Sequence, residues 1–511
     1  MKKLFILSSI FLISACGLQV RDPGTITTNN PNTNGNPNTN GNGYTVGGHA
    51  SGIPHHHPVK VNINGHDHTI GENGTFTFPE HYPDETSYDV DIIAGPGGAY
   101  TCSLQNDSGT INGANVTNVI LACTCGNGSL GAGAGTPSNP ILVYTSTQLN
   151  ALANNATTSN MDQYYKQVCD LDYTGITPKP VGGNNYPFTG SYDGDGWFIL
   201  NYTSGVSTSS LNQNKGVFGK TQNAILKNIN LSNFHLTADA SMTTGRIGAL
   251  AGVAAGTDIN NVYAEDIMIN DNGHCLDGVG GLIGNQIEYT GGSGCSTDAN
   301  LNGVHVIRVD INAGNSQNVG TVFGTSNVNG TKNIQSDDSH IQNCNYQCGG
   351  IAGSLTGKAT FKDMNAQNVT VEGNERVGGI AGLNYGVINR SGFVGTVNGK
   401  TTAGRFGGLI GYGTTSDPMT NSYTVSDVLS VTGTTTAGRV TGANAMITNV
   451  SYDNTQTCQN CSISGGTAFG GSNSFKNGTN SAMATWDFDN VWCAVENDYP
   501  QLIEVPFSVC N

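Results

Sequence analysis

The sequence predicts an all-β protein: a right-handed parallel β-helix behind a disordered tether and a small N-terminal β-sandwich. Two observations carry that expectation. A glycine-centred box recurs as Cys348-Gly349-Gly350-Ile351-Ala352-Gly353, Val377-Gly378-Gly379-Ile380-Ala381-Gly382 and Phe406-Gly407-Gly408-Leu409-Ile410-Gly411, and its final glycines are evenly spaced. A fixed period maintained along a chain is the signature of a stacked array. Composition agrees, because 72 glycines are about twice the usual share and charged residues, at 11%, less than half of it, which is not a helical profile.

The chain opens with Met1-Lys2-Lys3, an apolar run over residues 4–13, and Ser14-Ala15-Cys16. A basic start, a short apolar stretch and a small-residue cleavage site make residues 1–15 a signal peptide, and the run is too short to span a bilayer as a mature helix. Ile13-Ser14-Ala15-Cys16 resembles the bacterial lipobox, which implies cleavage before Cys16 and acylation of its thiol and new amino group, palmitate included. Two or more acyl chains hold a soluble domain stably where one does not. The competing reading is an ordinary secretory signal with a chance cysteine. Gly17 resembles the second residue of lipoproteins sorted to the outer membrane, so an exported, lipid-anchored position at the outer membrane or cell surface is expected.

Residues 16–43 are expected to be the lipidated cysteine and a disordered tether: from Asp22 to Gly43 the chain is Asn, Thr, Pro and Gly with almost nothing apolar, and cannot bury a core. As a flexible tether, about 22 residues give a mean reach of about 25 Å. Residues 44–125 alternate in the manner of strands, at Val59-Lys60-Val61-Asn62-Ile63, Gly74-Thr75-Phe76-Thr77-Phe78 and Tyr88-Asp89-Val90-Asp91-Ile92, with Gly, Pro and Asn between them. This pattern, with Thr101-Cys102 and Val116-Thr117-Asn118-Val119, resembles a small β-domain repeated in bacterial surface proteins, where it serves as a spacer.

Residues 140–215 contain a helix signal at Ser146-Thr147-Gln148-Leu149-Asn150-Ala151-Leu152-Ala153, with Ser146 as N-cap. With Asp193-Gly194-Asp195-Gly196-Trp197 this segment resembles the N-terminal cap of cell-surface β-helix proteins, a helix plugging the open coil. An exposed solenoid end is an unpaired strand edge and needs such a cover. Residues 216–455 carry the array. Weaker boxes end at Gly219, Gly252, Gly284 and Gly324, and each box is followed by an apolar-x-Asn-x step such as Leu226-Lys227-Asn228-Ile229 or Ile447-Thr448-Asn449-Val450. Three short strands and three turns per period make one coil, with coils about 4.8 Å apart. Aligned Asn can ladder their amides, but Gly303, Asp363 and Arg390 interrupt the column.

The boxes resemble the GLUG motif of bacterial surface proteins, adhesin-like proteins and the non-catalytic region of some immunoglobulin-A peptidases. The resemblance runs from about residue 140 to the C-terminus and implies a scaffold. Residues 456–511, with Trp486-Asp487-Phe488-Asp489-Asn490-Val491-Trp492 and Tyr499-Pro500-Gln501-Leu502, look like the ending of such arrays, a disulfide-containing cap whose aromatics seal the last coil.

Besides Cys16, twelve cysteines remain, an even number that in an exported chain favours disulfides. Proximity suggests Cys102 with Cys123, Cys125 with Cys169, Cys275 with Cys295, Cys344 with Cys348, Cys458 with Cys461, and Cys493 with Cys510. The CxxC at Cys458 lacks a βαβ context and a second pair, so a loop staple is expected there rather than a redox or zinc site.

Thirty-six Asp and Glu against 20 Lys and Arg give a net charge of −16, with no basic cluster to meet a phosphate backbone, so nucleic acid is not an expected partner. There is no HExxH, GxSxG or P-loop, and no GxGxxG between a strand and a helix. Two polar groups invite chemistry. His55, His57, His66 and His68 would hold zinc or copper if each pair shared a strand face, the alternative being solvated turn histidines. Asp337 and Asp338 with His340 and His274 could imitate a glycosidase acid and base, while Asp193-Gly194-Asp195-Gly196 lacks the remaining ligands of a calcium loop and fits a turn. With no catalytic set, no cofactor is expected. The reading is a surface-displayed lipoprotein for adhesion or binding of a glycan or a host or matrix protein. The alternative is a carbohydrate-active, polysaccharide-cleaving β-helix enzyme. Converging carboxylates in a groove would favour the enzyme, and a polar flank without them would favour binding.

Overall fold

A computed structural model describes residues 43–510, apart from 131–132, 155–156, 205–213, 239–241, 243–244, 289–298, 358, 435, 464, 477 and 479–482. Cys16, the signal peptide and the tether up to residue 42 lie outside the described residues, as does Cys295. The chain divides into two units, the second beginning at Cys125.

In the first unit two four-stranded sheets share one core. One is ordered Gly74–Thr77, Val46–Ser51, Val116–Cys125, Tyr100–Gln105; the other His66–Ile70, Val59–Ile63, Ser87–Ala94, Ser108–Thr110. Strict alternation is the cause: Val59, Val61 and Ile63 are fully buried while Lys60 between them is exposed. Cys102 and Cys123 are disulfide-bonded inside it.

The second unit is a β-solenoid of about eight turns made of three parallel sheets. Each turn contributes one long strand, of which Ile225–Thr237, Asp258–Asn270, Leu301–Asn312, Thr360–Gly373, Val387–Gly399 and Met419–Ser430 are examples, and two short ones from the glycine box. The expected three short strands are thus two short strands and a long bent one. Asn228 (φ 53°) and Asn233 (φ 58°) kink the first of these without ending it. Asn tolerates this left-handed conformation better than other non-glycine residues.

Successive boxes lie one on another. Gly349, Gly378, Gly407 and Gly438 pair in register, as do Ala352, Ala381 and Ile410. The glycines are required by crowding and not by a positive φ. A Cβ on Gly378 would stand 2.2 Å from the Ala381 carbonyl oxygen, and one on Gly382 would stand 2.3 Å from the Cys348 amide nitrogen of the coil beneath. Apolar side chains stack inside, with Phe361, Ile388 and Met419 forming one fully buried column. Each such side chain contributes about 1.5–3 kcal/mol on burial.

Helix Ser146–Asn154 covers the first coil, with Leu149 and Leu152 in the main core. Its cap is Thr145, whose Oγ1 accepts from the Gln148 amide, whereas the Ser146 hydroxyl donates to the Asp172 carbonyl at 2.6 Å. Ser146, expected as the cap, already lies inside the first turn.

The C-terminal aromatics do not seal the last coil. Residues 486–507 run back along the outside of the long-strand sheet and enclose a second hydrophobic cluster there, containing Tyr423, Val425, Trp486, Trp492, Leu502 and Val505. Cys493–Cys510 pins this strap to itself. Disulfides also join Cys125 to Cys169, Cys344 to Cys348, and Cys458 to Cys461, while Cys275 is exposed and has no disulfide among the described residues.

Candidate functional site: the strapped face and its cleft

Along the long-strand sheet, alternate residues point into the coil or out of it. Leu231, Ala264, Val306, Ser336, Ala366 and Phe393 face the core. Their neighbours one residue before them in the strand form an outward column, Asn230, Tyr263, His305, Gln335, Asn365 and Gly392, continued upward by Tyr423 and downward by Phe198. The strap follows this column down the stack. Trp486 packs 5.7 Å from Tyr423 and donates to the Asn421 carbonyl; Trp492 donates to Asp363 at 3.1 Å. Asn365 and Gln367 both donate to the Pro500 carbonyl at 3.1 Å, and Gln501 joins Gln335 to Gln367 through its side-chain amide. Farther down, Asn333 donates to Glu504 at 2.9 Å, and Phe507 rests 4.4 Å from Tyr263. The strap thus supplies acceptors to the side-chain amide N–H groups of Asn333, Asn365 and Gln367, which would otherwise need water.

His305 ties the two layers together. Nδ1 lies 2.9 Å from the Pro506 carbonyl oxygen and Nε2 lies 2.9 Å from Asp337 Oδ2. Both partners are acceptors, which fits an imidazolium donating from both nitrogens. Burial opposes that charge and is the largest influence, but the hydrogen bond and charge of Asp337, the Pro506 carbonyl and Glu265 together raise His305 above its ordinary 6.5. Glu265 accepts from the Tyr263 hydroxyl at 3.0 Å and pairs with Arg308 at 2.8 Å. Burial first, then the Glu265 charge and hydrogen bond, push the Tyr263 phenol well up.

A second column runs along one margin of this face. Asn228, Asn261, Gly303, Asn333, Asp363, Arg390, Asn421 and Asn449 occupy equivalent places, all with φ between 49° and 69°. Asn261 donates to Asn228 and Asn449 to Asn421, as an amide ladder requires. The interruptions seen in the sequence have a physical account. Gly303 supplies the same conformation without a side chain, and Arg390 grips Asp363 through two 2.6 Å bonds in place of the amides.

At the missing rung, a cleft of about 460 Å³ opens between the coil and the strap, lined by Asn260, Asn261, Asn302 and Gly303 on one side and by residues 503–507 on the other. Phe507 is 49% exposed at its rim and has φ 53°. Sequence reasoning missed this site because its two walls lie far apart along the chain; the glycine at position 303 was its single local signal.

The predicted acid and base set is not brought together. Asp337 is held by His305 and Gln335; Asp338, at φ 49°, accepts from Asn368 at 2.7 Å; His340 stands 3.8 Å from Asp310; and the His274 carbonyl accepts from Ser316. Asp193 and Asp195 are met by Lys227 and Lys166, and the Asp195 amide donates to Asp193 in a turn. His55, His56 and His57 lie in a turn before strand Val59–Ile63, so His55 and His57 do not share a strand face as expected. His66 and His68 are on the next strand, where His68 is 2.9 Å from Glu80.

No family model matches the chain. A 164-residue stretch is 30% identical to halomucin of Haloquadratum walsbyi (strain DSM 16790 / HBSQ001), covering 30% of this chain and 2% of that protein. The chain therefore spans about 2% of the length of that relative. Among solved structures it is similar to a protein of Bacteroides ovatus provisionally assigned as an immunoglobulin A1 protease, with a TM-score of 0.44 and 18% identity, covering 73% of this chain and 94% of that one.

Proposed function

We propose that this chain is a surface-displayed bacterial lipoprotein, acylated at Cys16, whose GLUG-type β-solenoid works as a rigid binding rod for extracellular glycan or a host or matrix protein. The observation that carries the reading is the state of the carboxylates on the strapped face. Asp337, Asp363 and Glu265 are each committed to a structural partner, so what the cleft presents is chiefly side-chain amides. A hydrolase needs an acid and a base aimed at one bond, whereas amides offer donors and acceptors suited to holding a polar ligand.

The test is a glycan and matrix-protein array probed with the mature chain, run beside a sugar-release assay on the same glycans. Retention without release is expected. Sugar release abolished by Asp337→Ala would overturn the binding reading in favour of a polysaccharide-cleaving enzyme. For the anchor, Cys16→Ser is expected to abolish labelling by a fatty-acid analogue in the producing cell, and persistent labelling would remove the lipoprotein part of the proposal.

A further inference from the structure

From the cleft at the missing rung we infer that the solenoid holds a neutral oligosaccharide between Asn260, Asn302, Glu504 and Phe507; the inference rests on the binding function proposed above and assigns that function to one site. The cleft is a built feature. Among the eight places from Asn228 to Asn449 in this column, all but Gly303 carry a polar side chain. A Cβ on Gly303 would stand 3.0 Å from the Glu504 carbonyl oxygen, so the glycine both admits the strap and leaves the space beside it. Its volume, about 460 Å³, lies within the range of small-molecule sites.

The lining suits sugar hydroxyls. Asn261 donates one amide hydrogen to Asn228 and keeps its carbonyl oxygen as an acceptor; Asn302 spends its oxygen on Asn333 and keeps its amide as a donor. Glu504 uses Oε2 for Asn333 and retains a second oxygen. Phe507 supplies the apolar platform on which a pyranose face can rest, about half exposed and backed by Tyr263. A bulky residue in the left-handed region is a backbone outlier, and such outliers cluster where the surrounding structure enforces a ligand-facing geometry. The ligand's charge follows from the same lining, which contains a carboxylate and no Lys or Arg, on a chain of net charge −16. An anionic glycan would be repelled.

The experiment is isothermal titration of the mature chain with soluble hexasaccharides of glucose, mannose, xylose and N-acetylglucosamine, with heparin and hyaluronan fragments for comparison. At least one neutral hexasaccharide is expected to bind, and Phe507→Gly and Asn260→Ala are each expected to weaken it at least tenfold. Phe507→Gly removes the ring and accepts the positive φ, so its fold is expected to survive; Asn260→Ala lies outside the positive-φ column and gives an independent reading if it does not. Binding by the native chain that neither variant changes would overturn the cleft assignment and leave the binding reading intact. Tighter binding of heparin or hyaluronan would overturn the neutral-ligand inference. No binding of any sugar by the native chain would overturn this inference and the glycan part of the function together.

Discussion

Raising the pH is expected to loosen the strap, through His305. Its ring donates to Asp337 and to the Pro506 carbonyl, and hydrogen bonds to a charged group are worth about 1.5–3 kcal/mol each. A neutral imidazole retains one donor, so deprotonation costs one of the two bonds, a change of roughly 10- to 100-fold in the local opening equilibrium. The sign follows from the direction of the shift. The folded-state pKa is raised above 6.5, so the contribution is complete below about 6.5 and is lost as the pH rises through the higher folded value. Amide hydrogen exchange across residues 500–508, corrected for the intrinsic dependence of exchange on pH, reads this directly. Protection is expected to fall with rising pH in the native protein and to lose that dependence in His305→Gln. Protection that stays constant or grows with pH in the native chain would refute the reasoning. Because Phe507 is carried by the same strap, ligand binding at the cleft is expected to weaken over the same pH window.

Two further perturbations test the packing. Gly382→Ala drives a Cβ into the backbone of Cys348, Arg376 and Gln347 on neighbouring strands, and is expected to destabilise the solenoid by about 3 kcal/mol or more; Gly470→Ala, with nothing within 4 Å and no positive φ, is expected to be neutral or to stabilise by up to about 1 kcal/mol. Urea unfolding followed by the fluorescence of Trp197, Trp486 and Trp492 compares them, and equal effects would contradict the crowding account. Arg390→Ala strands the 2% exposed Asp363 carboxylate and is expected to cost about 3 kcal/mol, while changing both Arg390 and Asp363 to Asn restores an amide column and is expected to cost less than the single change. A double variant weaker than the single one would contradict that view.

The repeating part of the molecule was readable because its contacts are local in period. Gly349, Gly378 and Gly407 meet because the chain returns at a constant interval, and that interval is visible in the sequence itself. The Asn column was visible for the same reason, though sequence alone treated Gly303, Asp363 and Arg390 as faults. What unites the column is a positive φ, which Gly satisfies by itself and which Asp363 and Arg390 occupy as a matched pair. The strap was not readable. Gln501 meets Gln335 and Pro506 meets His305 across long stretches of chain, and no period relates them. The same gap misplaced the acid and base set: Asp337 and Asp338 are adjacent in sequence, but a kink at Asp338 sends one carboxylate to His305 beneath the strap and the other to Asn368 in the next coil.

The stacking of coils can be measured as a ruler. Asn260, Asn302, Lys332, Lys362, Asn389, Thr420 and Thr448 succeed one another in register up the long-strand sheet. Spin labels carried on unnatural amino acids leave the native cysteines untouched, and pulsed dipolar spectroscopy from Thr448 to Lys332, Asn302 and Asn260 in turn is expected to give about 19, 24 and 29 Å, one strand spacing per step. The step from Asn302 to Asn260 spans markedly more chain than the step from Lys332 to Asn302, yet equal increments are predicted. Increments that follow the length of chain between labels, instead of the number of coils, would contradict the solenoid.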